Sequence, residues 1–363
     1  MLDPLTELQP SPEPPPRWRG MRRAVKWGLV VAALYFSWRL IAGMRWGELA
    51  ARLAAASWPL VAAAVFFLVL RFELWDLRFR LAAGRATGTR MPGAAFGFSV
   101  LLASAALNLL TPAARVLGGP LRARSYARSC GRSFGLFYGA VLYDQLAHQA
   151  VITFLTGLAF LSVAIARGYV ALGLSGLAGL AAGVAGVAGV ALWSRRRGPF
   201  AENPIVRFLA RRAEREEGSL QRVYAQGHEA AGTFVHLLGD SGMAARAVAL
   251  GTALFLANAV AQWLIFRALG QEVGVLAVVA VVALGNAAGM LAGTPGGVGT
   301  TEAAMVAAYV ALGVDRASAG AATLLFRGLH YACVVVVGLP ALGWLEARGA
   351  RRAAVLPSPE VPP

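Results

Sequence analysis

Charged side chains are scarce in this 363-residue chain, and acidic ones are the scarcest. Asp and Glu together number 18 against 34 Lys and Arg, so charged residues make up only 14% and the formal net charge is +16. Soluble domains carry about 25% charged residues. Because 58% of the residues are apolar, the composition excludes a disordered protein and argues strongly against an ordinary soluble enzyme.

Cysteine is nearly absent as well. Cys130 and Cys333 lie far apart in sequence, and neither is spaced with a histidine as zinc ligands are, which excludes a disulfide framework and a zinc site. No nucleophile–base pair, carboxylate dyad or cofactor fingerprint stands out. We therefore predict no metal, no cofactor and no enzyme chemistry, although residues that meet only in the fold stay open.

Apolar blocks about as long as a membrane is thick fill most of the chain. We expect all of them to be helical, because lipid offers no hydrogen-bond partner to an open backbone. Only one, 302–313, is clearly too short to span. The blocks are 27–44, 57–74, 94–110, 137–165, 170–193, 247–266, 273–292, 302–313 and 317–345.

The positions of the arginines predict how these blocks cross. If every longer block simply crossed from a cytoplasmic N-terminus, the arginine-rich loops 114–133 and 194–246 would both lie outside, against the positive-inside rule. Treating 94–131 and 273–313 as re-entrant hairpins brings most cations inside. The fold class is then an all-α polytopic membrane protein with about six full transmembrane helices, two re-entrant helical hairpins and both termini cytoplasmic.

The two hairpins have similar local sequences. Each contains Thr-Pro, glycines and a charged residue, and each precedes one long span, 137–165 or 317–345. Three crossings separate them, so we predict an inverted repeat whose halves meet near the middle of the membrane. The expected organisation is a Pro-rich, basic cytoplasmic tail, a transmembrane domain and a disordered cytoplasmic tail, over 1–26, 27–345 and 346–363.

The loop 194–246 mixes apolar residues at helical spacing with Arg and Glu. This pattern is typical of an amphipathic helix pair on the inner leaflet, and equally of a solvated helical linker. The excess of cations indicates contact with anionic headgroups of that leaflet and gives no reason to expect nucleic acid.

The strongest local signal is the segment Thr294-Pro-Gly-Gly-Val-Gly-Thr-Thr-Glu302. Glycines let the backbone bend sharply and expose N–H groups. A helix that starts at Thr300 or Thr301 would gain a hydroxyl cap, and its dipole would stabilise Glu302. One reading is a capped helix start in a surface loop. At membrane depth, however, such a loop is tolerated only where it is buried or lines a cavity.

Two further spans carry ionisable residues. Asp144 and His148 are four residues apart and share a helix face, as do Arg327 and Tyr331. Charges inside a membrane are costly unless they are paired or hydrated. Two interpretations stay open and can both hold: a polar path, or a buried ion pair of Asp144 or Glu302 with Arg327.

Three arginines, Arg122, Arg124 and Arg128, follow the paired glycines Gly118 and Gly119. They either bind phosphate headgroups or only follow the positive-inside rule. The neighbouring glycines favour the first reading.

These motifs resemble those of a known family, the lysylphosphatidylglycerol synthase transmembrane (flippase-like) family. The stretch Pro295–Glu302, followed by Leu324-Leu-Phe-Arg327 and Tyr331, resembles its second-half motif. The stretch Asn108–Pro112, with Gly118-Gly119 and Arg122, is similar to its first-half motif. The likeness covers roughly residues 25–345. Many members carry an acid after the paired glycines, where this chain has Pro120.

The resemblance implies an integral inner-membrane protein of the lipid-translocating class. Relatives are linked to flipping aminoacylated phosphatidylglycerol, to hopanoid transport and to polyprenyl-linked glycan pathways. In the synthases a soluble aminoacyl-transferase domain follows the membrane part, and since this chain stops at Pro363 we expect no aminoacyl transfer.

We therefore predict a flippase or scramblase that moves a lipid with a polar headgroup. The alternatives are a membrane subunit, catalytic or not, of a polyprenyl-linked glycan or lipid-modifying pathway, and an anchor that acts through loop 194–246. The expected partners are membrane lipids, with a second copy of the chain or a biosynthetic enzyme as protein partner. The predicted substrate path comprises Asn108, Pro112, Gly118, Gly119, Arg122, Asp144, His148, Pro295, Gly296, Gly297, Gly299, Glu302, Arg327 and Tyr331.

Overall fold

The computed structural model describes residues 46–110, 117–168, 219–291 and 297–355, together with isolated helical positions between 173 and 189. No strand occurs in these ranges. The predicted spans 27–44 and 170–193 lie wholly or largely outside them. The helices are α1 Trp46–Ala54, α2 Trp58–Thr87, α3 Ala94–Leu110, α4 Gly118–Cys130, α5 Phe134–Arg167, α6 Ser219–Gly239, α7 Ser241–Ala268, α8 Val275–Leu291, α9 Thr300–Ala311 and α10 Arg316–Val355.

Most helices follow the predicted apolar segments closely. Three helices in the described ranges are long and apolar enough to cross a membrane, namely Phe134–Ser162, Ser241–Ala268 and Arg316–Leu345, and Ala94–Leu109 and Val275–Gly289 are shorter apolar helices. The described part of the chain is therefore all-helical and membrane-like. The count of six spans stays a prediction because two of them fall largely on residues outside the description.

Helix α2 differs from its sequence prediction. The apolar segment 57–74 predicts a helix that ends near residue 74, but the helix runs on to Thr87 and is capped by Gly88, whose φ is 62°. Arg78 in this second half is fully buried. Hydropathy missed the continuation because charged residues begin at Arg71, although no glycine or proline occurs between Arg71 and Gly84.

Helices α2 and α7 pack side by side in opposite directions. At one end, the Ser57 N–H donates to the Ala268 carbonyl at 2.8 Å. At the other, Arg85 Nε lies 2.6 Å from Asp240 Oδ2, which holds the pKa of that carboxyl below its usual range. Asp240 also caps α7 by accepting from the Met243 N–H. Both ends of the pair are thereby tied together.

Helix α10 lies against α3, and α6 lies against α5. A Cβ at Gly338 would meet the Leu102 carbonyl oxygen at 2.4 Å, and one at Gly139 would meet the Ala230 carbonyl oxygen at 2.3 Å, so neither pair could approach as closely with a larger residue. The second half of loop 194–246 is thus a helix packed on α5. Residues 194–218 lie outside the described ranges.

The structure contains two units with the same order of helices. In each, two short helices are followed by a long one: α3, α4 and α5 in the first, and α8, α9 and α10 in the second. The short helices lie in the two segments for which re-entrant hairpins are predicted, 94–131 and 273–313, and the connections at 111–116 and 292–296 lie outside the described residues. That these helices form re-entrant hairpins stays a prediction. Their relation as an inverted repeat stays a prediction.

Candidate functional site

Asp144 on α5 is the centre of a buried charged cluster. Arg78 Nε donates to Asp144 Oδ1 at 2.7 Å, and Arg122 Nη1 donates to Asp144 Oδ2 at 3.0 Å. The indole Nε1 of Trp75 donates to the same Oδ2 at 3.0 Å. Charged groups this deeply buried persist only when paired and hydrogen-bonded. The cluster therefore joins α2, α4 and α5 through a single carboxylate.

Arg122 is held on two sides. Its guanidinium carbon lies 3.8 Å from the ring centre of Phe79, so the planar group stacks on that ring. Nη1 is bonded to Asp144, but Nε and Nη2 are buried and find no hydrogen-bond partner among the described residues. The side chain is only 5% exposed. Leaving such donors unsatisfied is costly.

Glu302 on α9 forms a second cluster with α10. Arg327 Nε donates to Glu302 Oε1 at 2.6 Å, and the Tyr331 hydroxyl donates to the same oxygen at 2.9 Å. Arg327 also contacts that hydroxyl, its guanidinium carbon lying 4.7 Å from the ring centre. Of the two pairs considered from the sequence, the structure contains Glu302–Arg327. Asp144 pairs with Arg78 and Arg122, so the Asp144–Arg327 pair is wrong.

The start of α9 explains the position of Glu302. Gly299 precedes the first helical residue with φ 84°, a conformation that favours glycine, and its N–H donates to Glu302 Oε2 at 2.6 Å. The predicted hydroxyl cap from Thr300 or Thr301 is therefore wrong, and the carboxylate of Glu302 caps the helix. Thr301 instead packs against Gly289 of α8, where a Cβ would meet its Oγ1 at 2.3 Å.

A cavity of about 180 Å³ adjoins both clusters, and helices α2, α3, α4, α5, α7, α8 and α10 all contribute to its wall. Its polar lining includes three guanidinium groups, two imidazoles and several amides. The polar and charged lining residues are Arg71, Ser104, Asn108, Arg122, Asp144, Gln145, His148, Asn258, Asn286, Arg327, His330 and Tyr331.

Most of the predicted path residues meet at this cavity. The lining contains Asn108, Gly118, Gly119, Arg122, Asp144, His148, Arg327 and Tyr331. Glu302 does not line the cavity itself, but it is hydrogen-bonded to the lining residues Arg327 and Tyr331. Gly297 and Gly299 shape the turn before α9, with φ of 71° and 84°. Pro112, Pro295 and Gly296 lie outside the described residues. That lipid passes along these residues stays a prediction.

Three cavity residues on α2 were missed from the sequence. Arg71 Nη1 donates to Asn258 Oδ1 at 2.7 Å. Trp75 stacks on His148 with ring centres 5.2 Å apart, and Phe72 stacks on His330 at 5.5 Å. The available signal was their spacing: Trp75 lies four residues after Arg71 and three after Phe72, which places all three side chains toward one side of the helix.

Gly118 shows how α4 is placed at the cavity. Its N–H donates to Asn108 Oδ1 at 2.9 Å, and a Cβ there would meet that side chain at 2.4 Å. The side-chain amide of Asn108 on α3 thus fixes the start of α4. Among the described residues, no group of three His, Cys, Asp or Glu side chains is placed to hold a metal ion.

An all-helical chain with apolar, membrane-length helices around a charged cavity is a membrane protein with a polar centre. The chain belongs to the family described as the lysylphosphatidylglycerol synthase TM region, whose profile matches residues 25–338. It is also similar to a UPF0104 membrane protein from Methanothermobacter thermautotrophicus, with 26% identity over 302 residues that cover 81% of this chain and 87% of that protein. The family resemblance noted from the motifs is confirmed.

Proposed function

We propose that this chain moves a lipid with a polar headgroup between the two leaflets of a membrane. The observation that carries the proposal is the cavity, which brings charged residues from both short-helix units to one place among apolar helices. A headgroup inside hydrocarbon loses its water, and polar side chains that replace this hydration lower the cost of crossing. The acyl tails stay in lipid.

The placement of the charges supports movement along this route. Arg122 and Asp144 belong to the first unit, whereas Arg327 and Tyr331 belong to the second. Transporters of this general design carry their substrate between two such units near the middle of the membrane. A headgroup between the clusters would contact both units and respond to any change in their spacing.

The test measures flipping by the purified full-length chain in liposomes. Headgroup-labelled lipids are reduced from outside by dithionite, and without activity about half of the label stays protected. Wild type should abolish this protection. Glu302→Gln and Arg327→Ala should restore it, because each breaks the second cluster at the cavity wall.

Glu272→Gln is the matched control for Glu302→Gln. Glu272 pairs with Arg267 at 3.3 Å on an exposed surface, 88% of its side chain being accessible, so this variant should flip like wild type. Protection that persists in wild type for every lipid tested would reject direct transport. The role of a membrane subunit in a polyprenyl-linked glycan or lipid-modifying pathway would then take its place.

A further inference from the structure

The two unpartnered donors of Arg122 point to a ligand. Arg122 is 4% exposed and lines the cavity, yet Nε and Nη2 have no hydrogen-bond partner among the described residues. A guanidinium edge with two N–H groups matches two oxygens of a phosphate or carboxylate. Nη1 is committed to Asp144, which keeps the group in position.

The start of α4 adds positive potential at the same place. Gly118 and Gly119, the first two residues of this 13-residue helix, both line the cavity. The N-terminal end of a helix carries a partial positive charge and attracts anions. Arg122 lies one turn further along, so the helix end and the guanidinium act on the same side of the cavity.

The charges around the cavity are unequal. Arg71, Arg122 and Arg327 line it against one carboxylate, Asp144. Adding the ion-pair partners Arg78 and Glu302 gives four arginines and two carboxylates, an excess of two positive charges. The nearby Asp76 does not change this balance because it is paired with Arg80 at 2.6 Å.

Neither carboxylate is open to a cationic headgroup. Both oxygens of Asp144 accept hydrogen bonds, from Arg78 on one side and from Trp75 and Arg122 on the other. Both oxygens of Glu302 are likewise occupied by protein donors. The two carboxylate side chains are also only 1% and 7% exposed, so an amine in the cavity would face guanidinium groups before it reached either carboxylate.

We propose that the cavity selects lipids whose phosphate headgroup carries a net negative charge, and that Arg122 binds the phosphate. This inference rests on the proposed function and names its substrate class. The apolar part of the lining, which includes Phe72, Leu101 and Val334, suits the glycerol and ester region of a lipid. A free phosphate ion would gain nothing from contact with these apolar side chains.

The test compares binding of short-chain lipids to the purified full-length chain by titration calorimetry. The probes are dihexanoyl phosphatidylglycerol, which is anionic, dihexanoyl phosphatidylcholine, which is zwitterionic, and inorganic phosphate. Wild type should bind dihexanoyl phosphatidylglycerol about tenfold or more tighter than dihexanoyl phosphatidylcholine. Both lipids offer a phosphate to Arg122, but the trimethylammonium group of choline meets the excess positive charge around the cavity. This comparison needs no variant.

Arg122→Gln should weaken binding of the anionic lipid about tenfold or more. Arg122→Lys keeps the charge beside Asp144 but loses the guanidinium edge, so it should fold like wild type and bind with intermediate affinity. Arg316→Gln, at an exposed residue that begins α10 and does not line the cavity, is the matched control for the loss of one charge and should leave binding unchanged.

Three results would overturn the assignment: equal affinity of wild type for both lipids, inorganic phosphate binding as tightly as dihexanoyl phosphatidylglycerol, or equal weakening by Arg122→Gln and Arg316→Gln. Flipping of both lipids in liposomes at equal rates would also reject selectivity while leaving transport intact. Selective, Arg122-dependent binding without flipping would support the site and reject the transport function.

Discussion

At the scale of single residues, the cavity depends on carboxylates that each serve several donors. Asp144 accepts from Arg78, Arg122 and Trp75, which come from two other helices. A buried ion pair contributes little net stability compared with apolar residues, but removing one partner leaves an uncompensated charge. Asp144 therefore fixes the geometry of the cavity wall more than it adds to the stability of the fold.

We expect Asp144→Asn to destabilise the protein by about 3 to 5 kcal/mol, because two buried guanidinium groups would lose their common anion. The measurement is the unfolding midpoint in detergent, followed by circular dichroism. Glu272→Gln removes an acid from an exposed pair and should change the midpoint little. Equal midpoints for the two variants would contradict the role given to Asp144.

At the scale of helices, the prediction from sequence was accurate where hydropathy agreed with the residues that begin and end helices. Helix α3 occupies Ala94–Leu110 as expected, and α5 is bounded by the cap Ser133 and by Gly168 in a left-handed conformation. It failed for α2, where hydropathy falls at Arg71 although the helix continues. Charged residues in a membrane helix can be satisfied by neighbours that only the fold reveals.

The close approach of α3 and α10 gives a test at this scale. Gly338→Ala would place a Cβ 2.4 Å from the Leu102 carbonyl oxygen, so the helices must move apart, at a cost of about 1 to 3 kcal/mol. Gly343→Ala on the same helix meets nothing within 4 Å and should gain up to about 1 kcal/mol from helix propensity. Thermal unfolding of both variants in detergent measures the difference, and a stabilised Gly338→Ala would disprove the packing.

At the scale of the whole molecule, the limits of hydropathy explain which site residues could be found from the sequence and which were missed. Asp144 and Arg327 stood out because they interrupt long apolar spans, and Glu302 because it follows the glycine-rich segment that begins at Thr294. Arg78 did not, because it lies beyond the apolar segment 57–74, and it was therefore not considered as a partner of Asp144. Pairing between distant helices depends on packing, which the local sequence does not specify.

The orientation of the chain in the membrane gives a testable prediction at the scale of the whole molecule. The arginine distribution predicts that the start of α7 is cytoplasmic and that the end of α9 lies outside. With the native cysteines replaced by alanine, Ala311→Cys should react with a membrane-impermeant maleimide on intact cells, and Ser241→Cys only after lysis. Both positions are exposed at helix ends. The reverse labelling pattern would invert the topology.

The stacking of Trp75 on His148 has an optical consequence. The indole lines the cavity, and its N–H is bonded to a carboxylate that also holds two arginines. Indole emission shifts in colour and intensity with local hydration and with nearby charge. The chain contains nine tryptophans, and the difference between wild type and Trp75→Phe isolates this one. The protein thus carries a built-in fluorophore that reports occupancy of its polar centre without a label.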